Sequence, residues 1–506
     1  MVKHAAGALM QTFAPEDRGG DRRARVYRAV VDAILDGRLA PGTRLPSARQ
    51  LASEWKLARG VVDEAFARLQ DEGLLVRRVG DGSYVAYPLP RPARSAGEVL
   101  PRGPNAAAQR ALAHFAPRLA QARRFELPRH DLPTPVLHPR AWPQADFPLS
   151  TWRRAMAVAL SEDHRDQLGY GPAAGLPALR EAIARHVALT RSVRCMPEQV
   201  LVVNSTAQGL ETVARVLLRP GDRVWVEDPG HPGLPLLFEM LHLRAVGVPL
   251  DEQGLQVARG RELAADAALA VLHPLTQVPL GQRTSALRGA ELLQWAEERG
   301  AWIVEGCCND EIVYRGPAPP ALYSRDATGR VLLLGSFEGV MFPALRVAFL
   351  VVPERLVEAF GAARGLLGDH TQVATQLALA SFIAEGHLAS HLRQLRTTCG
   401  ARREALLAAV RRWLPPDILP GPTDTGLHAC LHLPARWPDV QVAEALQRRE
   451  VGGQALSARC WQVRGRNGLV VGYGGSSPIE IDAAVRQLAA VIGGLAPHRR
   501  QPTTRA

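Results

Sequence analysis

Residues 334–353 read LGSFEGVMFPALRVAFLVVP. An apolar run arrives from VLLL, breaks at the polar Glu338-Gly339 and at Pro343, and a second apolar run, VAFLVV (347–352), follows. Two uninterrupted apolar runs of this length, each bounded by turn residues, predict strands buried on both faces of a sheet. One cation, Arg346, stands in the turn between them, with Gly339 seven residues before it. No lysine is near. Lys3 and Lys56 are the only lysines among the 61 basic residues, so beyond residue 56 every fixed cation is arginine.

Further runs of the same kind lie on the N-terminal side: QVLVV (199–203), RVWVED (223–228), ALAVLHP (268–274), WIVEG (302–306) and VLLLG (331–335). Helical patterns such as LPALREAIARHVALTR (176–191) lie between them. Strand–helix alternation of this length predicts an α/β domain over 126–495, with a mostly parallel sheet covered on both faces. A smaller α+β part is expected over 395–495.

At 506 residues with 47% apolar composition the chain has room for two or three folded units. No apolar run reaches membrane-spanning length, and the apolar stretch within residues 1–20 is too short for a secretory signal. A disordered leader (1–20), a disordered tail (496–506) and a cytoplasmic location are expected. The six cysteines show no CxxC pair, which argues against structural zinc and a disulfide framework. A net charge of +12 points toward a polyanionic partner.

Residues 21–87 pattern as a winged helix-turn-helix. A helix near 22–36 places Val26, Val30, Ala33 and Ile34 on one face. Ser47 with Gln50 forms a capping box for a second helix. The bend Trp55–Ala58 opens a third, closed by Gly73. LLVRRVGDGSYVAY then predicts a hairpin around a Gly-Asp-Gly turn. Twelve basic residues against nine acidic make a modest count. Their placement points to DNA, because Arg49, Arg59, Arg77 and Arg78 fall at helix starts and the wing, where phosphate and base contacts are made. Residues 88–125 form a Pro/Arg/Ala-rich linker with seven arginines and one acid. A tether alone, or a tether that also touches DNA phosphates, fits it, and a short helix near 105–122 fits the pattern.

ILDGRLAPGTRLPSARQLASEW (34–55) and LARGVVDEAFARLQDEGLLVRRVGDGSYV (57–85) resemble the GntR family of bacterial regulators. The resemblance implies DNA contacts from Arg49 and Arg59, and Gly82 at the wing tip. Ala58 and Gly60-Val61 depart from the family, which carries hydroxyls or amides there. The third helix thereby loses an N-cap and two polar groups that could meet DNA.

The long linker and the large domain resemble the MocR subfamily, whose large domain is a fold-type I aminotransferase-like body carrying pyridoxal 5′-phosphate (PLP). LGYGPAAGLPALREAIARH (168–186) and QVLVVNSTAQGLETVARVLLRPGDRVWVEDPGHPG (199–233) carry that likeness with the opening stretch. The resemblance implies a phosphate cup of Ser205, Thr206, Ala207, Gln208, Ser336 and Arg346. Ser205 and Gln208 fit a plain helix cap equally well. Tyr170 would reach the partner's cup in a homodimer, or is a packed aromatic.

The rest of the pattern departs. Gly339 stands at the imine lysine, Gly306 at the aspartate that pairs with the pyridine nitrogen, and Cys308 at the ring-facing tyrosine. Thr276 stands at a histidine, His231 at a tyrosine, and Val470 at the arginine that grips the substrate carboxylate. The expectation is a regulator, not an enzyme, that binds a double-stranded operator. Its body would serve dimerisation and sensing of a small anionic or phosphorylated effector, with no covalent cofactor and noncovalent PLP disfavoured. Two alternatives are carried: a PLP-binding regulator or aminotransferase with an accessory DNA-binding domain, and a thiol or soft-metal sensor through Cys307 and Cys308.

Overall fold

The computed structural model describes residues 21–78, 80–87, 113, 134–307, 309–367 and 370–495. The chain divides into two compact units, Met1–Ala116 and Pro117–Ala506. The helix expected near 105–122 and the residue Cys308 lie outside what is described, save for position 113.

In the first unit, α1 (Arg22–Leu35) buries Val26, Val30, Ala33 and Ile34, as the spacing predicts. Helix α2 (Ala48–Glu54) starts at Ser47 with both arms of the capping box made. Helix α3 (Arg59–Asp71) starts at Ala58 with no side-chain cap, and Gly73 takes the left-handed conformation after its end. Strands β1 (Leu75–Arg78) and β2 (Gly82–Val85) pair antiparallel as the wing. Val26, Val30, Leu51, Val62, Phe66, Leu69 and Val85 close a small core of their own.

The second unit is built on eight strands: β3 (Val200–Val203), β4 (Arg223–Asp228), β5 (Arg244–Asp251), β6 (Gly254–Leu255), β7 (Leu269–Leu272), β8 (Trp302–Cys307), β9 (Val331–Ser336) and β10 (Ala348–Val351). Their order is β3-β10-β9-β8-β7-β4-β5-β6. The central ladder from β5 through β4, β7 and β8 to β9 is parallel, while β10 runs antiparallel to β3 and β9. Alternate side chains serve different cores. Leu201, Leu332, Leu334 and Leu350 join one cluster, and Val200, Val202, Leu333 and Val351 another, as a doubly covered sheet requires. Strand β5, with Gly247 and Pro249 inside it, is the one central strand that the apolar runs do not announce.

A smaller four-stranded antiparallel sheet, β11 (Leu419–Pro420), β12 (His428–His432), β13 (Gln454–Ala455) and β14 (Gly468–Gly472), forms the second lobe of this unit. Its boundary differs from the expected 395–495. The helix His387–Trp413 begins before it, and the segment around Val136–Leu137 joins the lobe. Gly472 N–H bonds the Leu137 carbonyl at 2.8 Å and Gly452 N–H the Val136 carbonyl at 2.6 Å.

One buried carboxylate ties the lobes together. Asp228, at the carboxyl end of β4, is fully buried and accepts from the backbone N–H groups of Trp461 (2.9 Å), Gln462 (2.6 Å) and Val463 (2.8 Å). Asp228→Ala would leave three buried donors unsatisfied. The expected cost is about 3 kcal/mol or more, read from denaturant unfolding of this unit, with Asp228→Asn retaining part of the stability.

Candidate functional site

The candidate DNA face is built from helix starts and the wing. Arg49 lies exposed in the first turn of α2, and Arg59 with Gly60 lies exposed at the first turn of α3. Arg59 is held by an i,i+4 ion pair to Asp63 at 3.1 Å, an interaction weak enough for a phosphate to replace. In the wing, the Arg78 guanidinium stacks 4.6 Å from the Tyr84 ring, while Arg77, on the opposite face of β1, is exposed. Arg44 donates to the Asp81 carbonyl at 2.5 Å and braces the turn at Gly82, whose φ of 120° excludes most other residues. The named arginines and Gly82 therefore share an exposed, basic set of positions on one small unit.

The second candidate lies at the carboxyl ends of β4, β7, β8 and β9, where open α/β sheets take ligands. Ser205 caps the helix Thr206–Leu217 through its Oγ, 3.1 Å from Gln208 N, and the Gln208 side chain accepts from Asn204 N at 2.7 Å. The residues of the expected cup do open a helix after a strand, so Thr206 and exposed Ala207 present a positive helix end. Ser205 and Gln208 are already spent on capping. Ser336 is buried, and its Oγ accepts from Glu338 N at 3.1 Å. Arg346 projects from a left-handed residue and lies 3.1 Å from Glu338 Oε1. Burial raises the Glu338 carboxyl above its ordinary range, and Arg346 opposes that rise. The cup arginine thus already carries an anion from its own turn. Tyr170 is fully exposed rather than packed.

The positions that the resemblance assigns to reactive groups are crowded by other side chains. A Cβ at Gly339 would overlap the Asn309 side chain, and Asn309 Oδ1 is buried with no hydrogen-bond partner among the described residues. A Cβ at Gly306 would come within 2.6 Å of the His273 ring, which is hydrogen-bonded to Glu227 at 3.0 Å. Cys307 is buried and accepts from Arg191 at 3.3 Å; Arg191 also pairs with Glu305 and Asp310. Among the described residues no group of three or more potential ligands could hold a metal ion. Covalent PLP does not fit these residues: the unit contains no lysine, and Asn309 and His273 crowd Gly339 and Gly306, the two positions that the resemblance gives to lysine and aspartate.

Comparison with known proteins fixes the kinship. Residues 22–85 match the profile described as bacterial regulatory proteins, gntR family, and residues 143–451 match aminotransferase class I and II. The chain is 31% identical to "Probable rhizopine catabolism regulatory protein MocR" of Rhizobium meliloti over 97% of this chain and 98% of that one. It is 33% identical to the HTH-type transcriptional regulator TauR of Rhodobacter capsulatus, over 77% and 80%. Among solved structures it resembles Pyrococcus horikoshii kynurenine aminotransferase (TM-score 0.67, 21% identity, 74% of this chain and 98% of that one). It also resembles the α-aminoadipate aminotransferase LysN of Thermus thermophilus (TM-score 0.66, 26%, 74% and 97%). The chain belongs to the MocR subfamily of GntR regulators.

A MocR-type protein is a DNA-binding transcriptional regulator, and its fold-type I body accounts for the second site. Within that body the sequence points to Thr276 and His231, and the structure adds what surrounds them. Thr276 is buried, with its hydroxyl unpartnered among the described residues. His231 sits at the open edge; desolvation by the packed walls, with Arg459, His273 and Arg140 close by, pushes its imidazole down to about 4. Val470 is fully buried in apolar surroundings and offers nothing to a carboxylate. Sequence reasoning missed His273, Asn309 and Arg459. His273 sits in the quoted run ALAVLHP at a strand's carboxyl end, a signal that was available. Asn309 and Arg459 act across long chain separations and leave no local mark. Because Asn309 fills the space at Gly339, Gly339→Ala should destabilise the unit by about 1–3 kcal/mol through overpacking. Adding Asn309→Gly should recover most of that loss, measured by thermal unfolding.

Proposed function

We propose that this chain is a cytoplasmic, homodimeric transcription regulator whose aminotransferase-like unit has left catalysis and reads a noncovalent anionic effector. The observation that carries the reading is the complete absence of lysine beyond Lys56. No imine can form without an amine at the strand end, and no shift of alignment supplies one. The Asn309 and His273 side chains in the spaces of the lost lysine and aspartate support it, since a cavity already refilled has no room for the old chemistry. Without a carboxylate on the pyridine nitrogen, PLP held only through its phosphate would be a poor ligand.

DNA contact is assigned to Arg49, Arg59, Gly60, Arg77, Arg78 and Gly82. Operator half-sites related by two-fold symmetry call for a dimer, and the exposed Tyr170 is suited to reach a second copy. Ser205, Thr206, Ala207, Gln208, Ser336 and Arg346 form a surviving anion cup whose arginine must be released from Glu338.

Two measurements check this reading. Purified protein incubated with PLP and borohydride should carry no reduced adduct on the second unit; an adduct there would restore the enzyme reading. On a duplex selected from random sequence by the full chain, Arg59→Ala should weaken binding by about 1–3 kcal/mol. Unchanged affinity would remove α3 from the DNA face.

A further inference from the structure

At the edge between the two lobes of the second unit, two arginines gather with no acidic ion-pair partner among the described residues, the nearby Asp228 carboxylate being spent on backbone N–H groups. Arg459 follows β13, and its backbone carbonyl accepts from Gly230 N at 3.1 Å, directly before His231. The clamp on Asp228 continues from it, so the loop 459–463 is fastened to the carboxyl end of β4. The Arg459 guanidinium makes one hydrogen bond, Nη2 to Gln454 Oε1 at 2.6 Å, and its buried Nε has no partner among the described residues. Arg140 approaches from the segment that joins the small lobe, beside His138, whose Nδ1 accepts from Arg140 N at 3.2 Å. Neither arginine has an acidic ion-pair partner among the described residues. Around them stand His231, His428 and His138, and Thr276 lies across Gly426 from His428 with its buried hydroxyl unpartnered.

Burial, with Arg140 next, lowers the Arg459 guanidinium to about 10, and desolvation and Arg459 push His428 down to about 4. The imidazoles are therefore neutral near pH 7, which leaves Arg459 and Arg140 as the cluster's cations. A half-buried arginine beside a second arginine, with an unused N–H and no carboxylate, is stabilised by an oxyanion that neither lobe provides. Val470, the position where relatives grip a substrate carboxylate, is closed off in an apolar cluster.

We propose that Arg459 and Arg140, with His231 at the rim, form a carboxylate-binding subsite for a small organic acid, on an element different from the family's carboxylate arginine. A planar carboxylate matches the guanidinium fork, whereas the helix-start cup suits a phosphate. The inference rests on the noncovalent-effector reading and gives that effector a carboxylate end.

The test is titration of the full chain with succinate, with inorganic phosphate and with neutral succinamide, followed by calorimetry and thermal unfolding. Succinate should bind and raise the unfolding temperature, and succinamide should do neither. Arg459→Gln and Arg140→Gln should each weaken succinate by about tenfold or more, the loss of a charge-assisted hydrogen bond. Arg346→Gln should leave succinate unaffected and weaken phosphate. Should Arg459→Gln fail to fold, Arg140→Gln, at an exposed position, carries the test. Succinate protection of Arg459 in wild-type protein from phenylglyoxal, mapped by mass spectrometry, adds a second readout. Failure of succinate to bind, or affinity unchanged in both arginine variants, overturns the subsite. If phosphate alone binds, in an Arg346-dependent manner, the subsite falls while the effector reading stands; if neither anion binds, both fall.

Discussion

The carboxylate of Asp228 is the constraint on which the second site depends. It sits in the interior with no ion-pair partner among the described residues, and three consecutive backbone N–H groups of the loop 461–463 replace its water. Backbone donors cannot rotate away or titrate, so the loop is fixed as firmly as the strand that holds Asp228. Gly247 on the neighbouring strand completes the arrangement. A side chain there would run into the Asp228 carboxylate, and the Gly247 N–H donates to Gln462 Oε1 at 2.9 Å. The clamp draws the small lobe's loop over the strand ends and sets where Arg459 and His231 meet.

What the sequence disclosed follows from which interactions are local. Continuous apolar runs announced β3, β4, β7, β8, β9 and β10 because a doubly covered strand needs apolar residues on both faces. The capping box at Ser47 and the glycines of the wing are features of three or four residues, and the structure holds them as expected. Strand β5 was not announced, because Gly247 and Pro249 interrupt its run. That glycine is the one the Asp228 clamp requires, so the feature that hid the strand is the feature that serves the site. Attachment of the segment around Leu137 to the small lobe rests on hydrogen bonds across more than 300 residues, and no pattern in the segment itself carries that information.

The candidate site divides along the same line. Family resemblance marks Gly339, Gly306 and Val470 as departures, one position at a time. It cannot say what becomes of the space. Asn309 lies against Gly339 and His273 against Gly306, pairs 30 and 33 positions apart. In each pair a side chain from another strand end takes the room that a side chain at the glycine would need. Dense interiors do not keep such room empty at low cost. The glycines are therefore better understood as the receiving half of a repacked interior than as isolated losses.

The two candidate anion positions differ in charge. At the cup, Glu338 neutralises Arg346 from within the turn, so an incoming phosphate must displace a carboxylate before it gains an arginine. At the lobe edge, Arg459 and Arg140 have no such internal partner among the described residues. A ligand changes the balance between two arrangements of a protein only by its difference in affinity for them. Arg459 belongs to the small lobe and His231 to the large, and the Gly230–Arg459 backbone hydrogen bond and the Asp228 clamp already join them, so an anion touching both would favour the arrangement in which that junction stays made. A ligand seated wholly within the cup would touch one lobe and exert little such preference. For a regulator, whose output is an altered arrangement rather than a product, the lobe edge is therefore the more consequential place for an arginine without an acid.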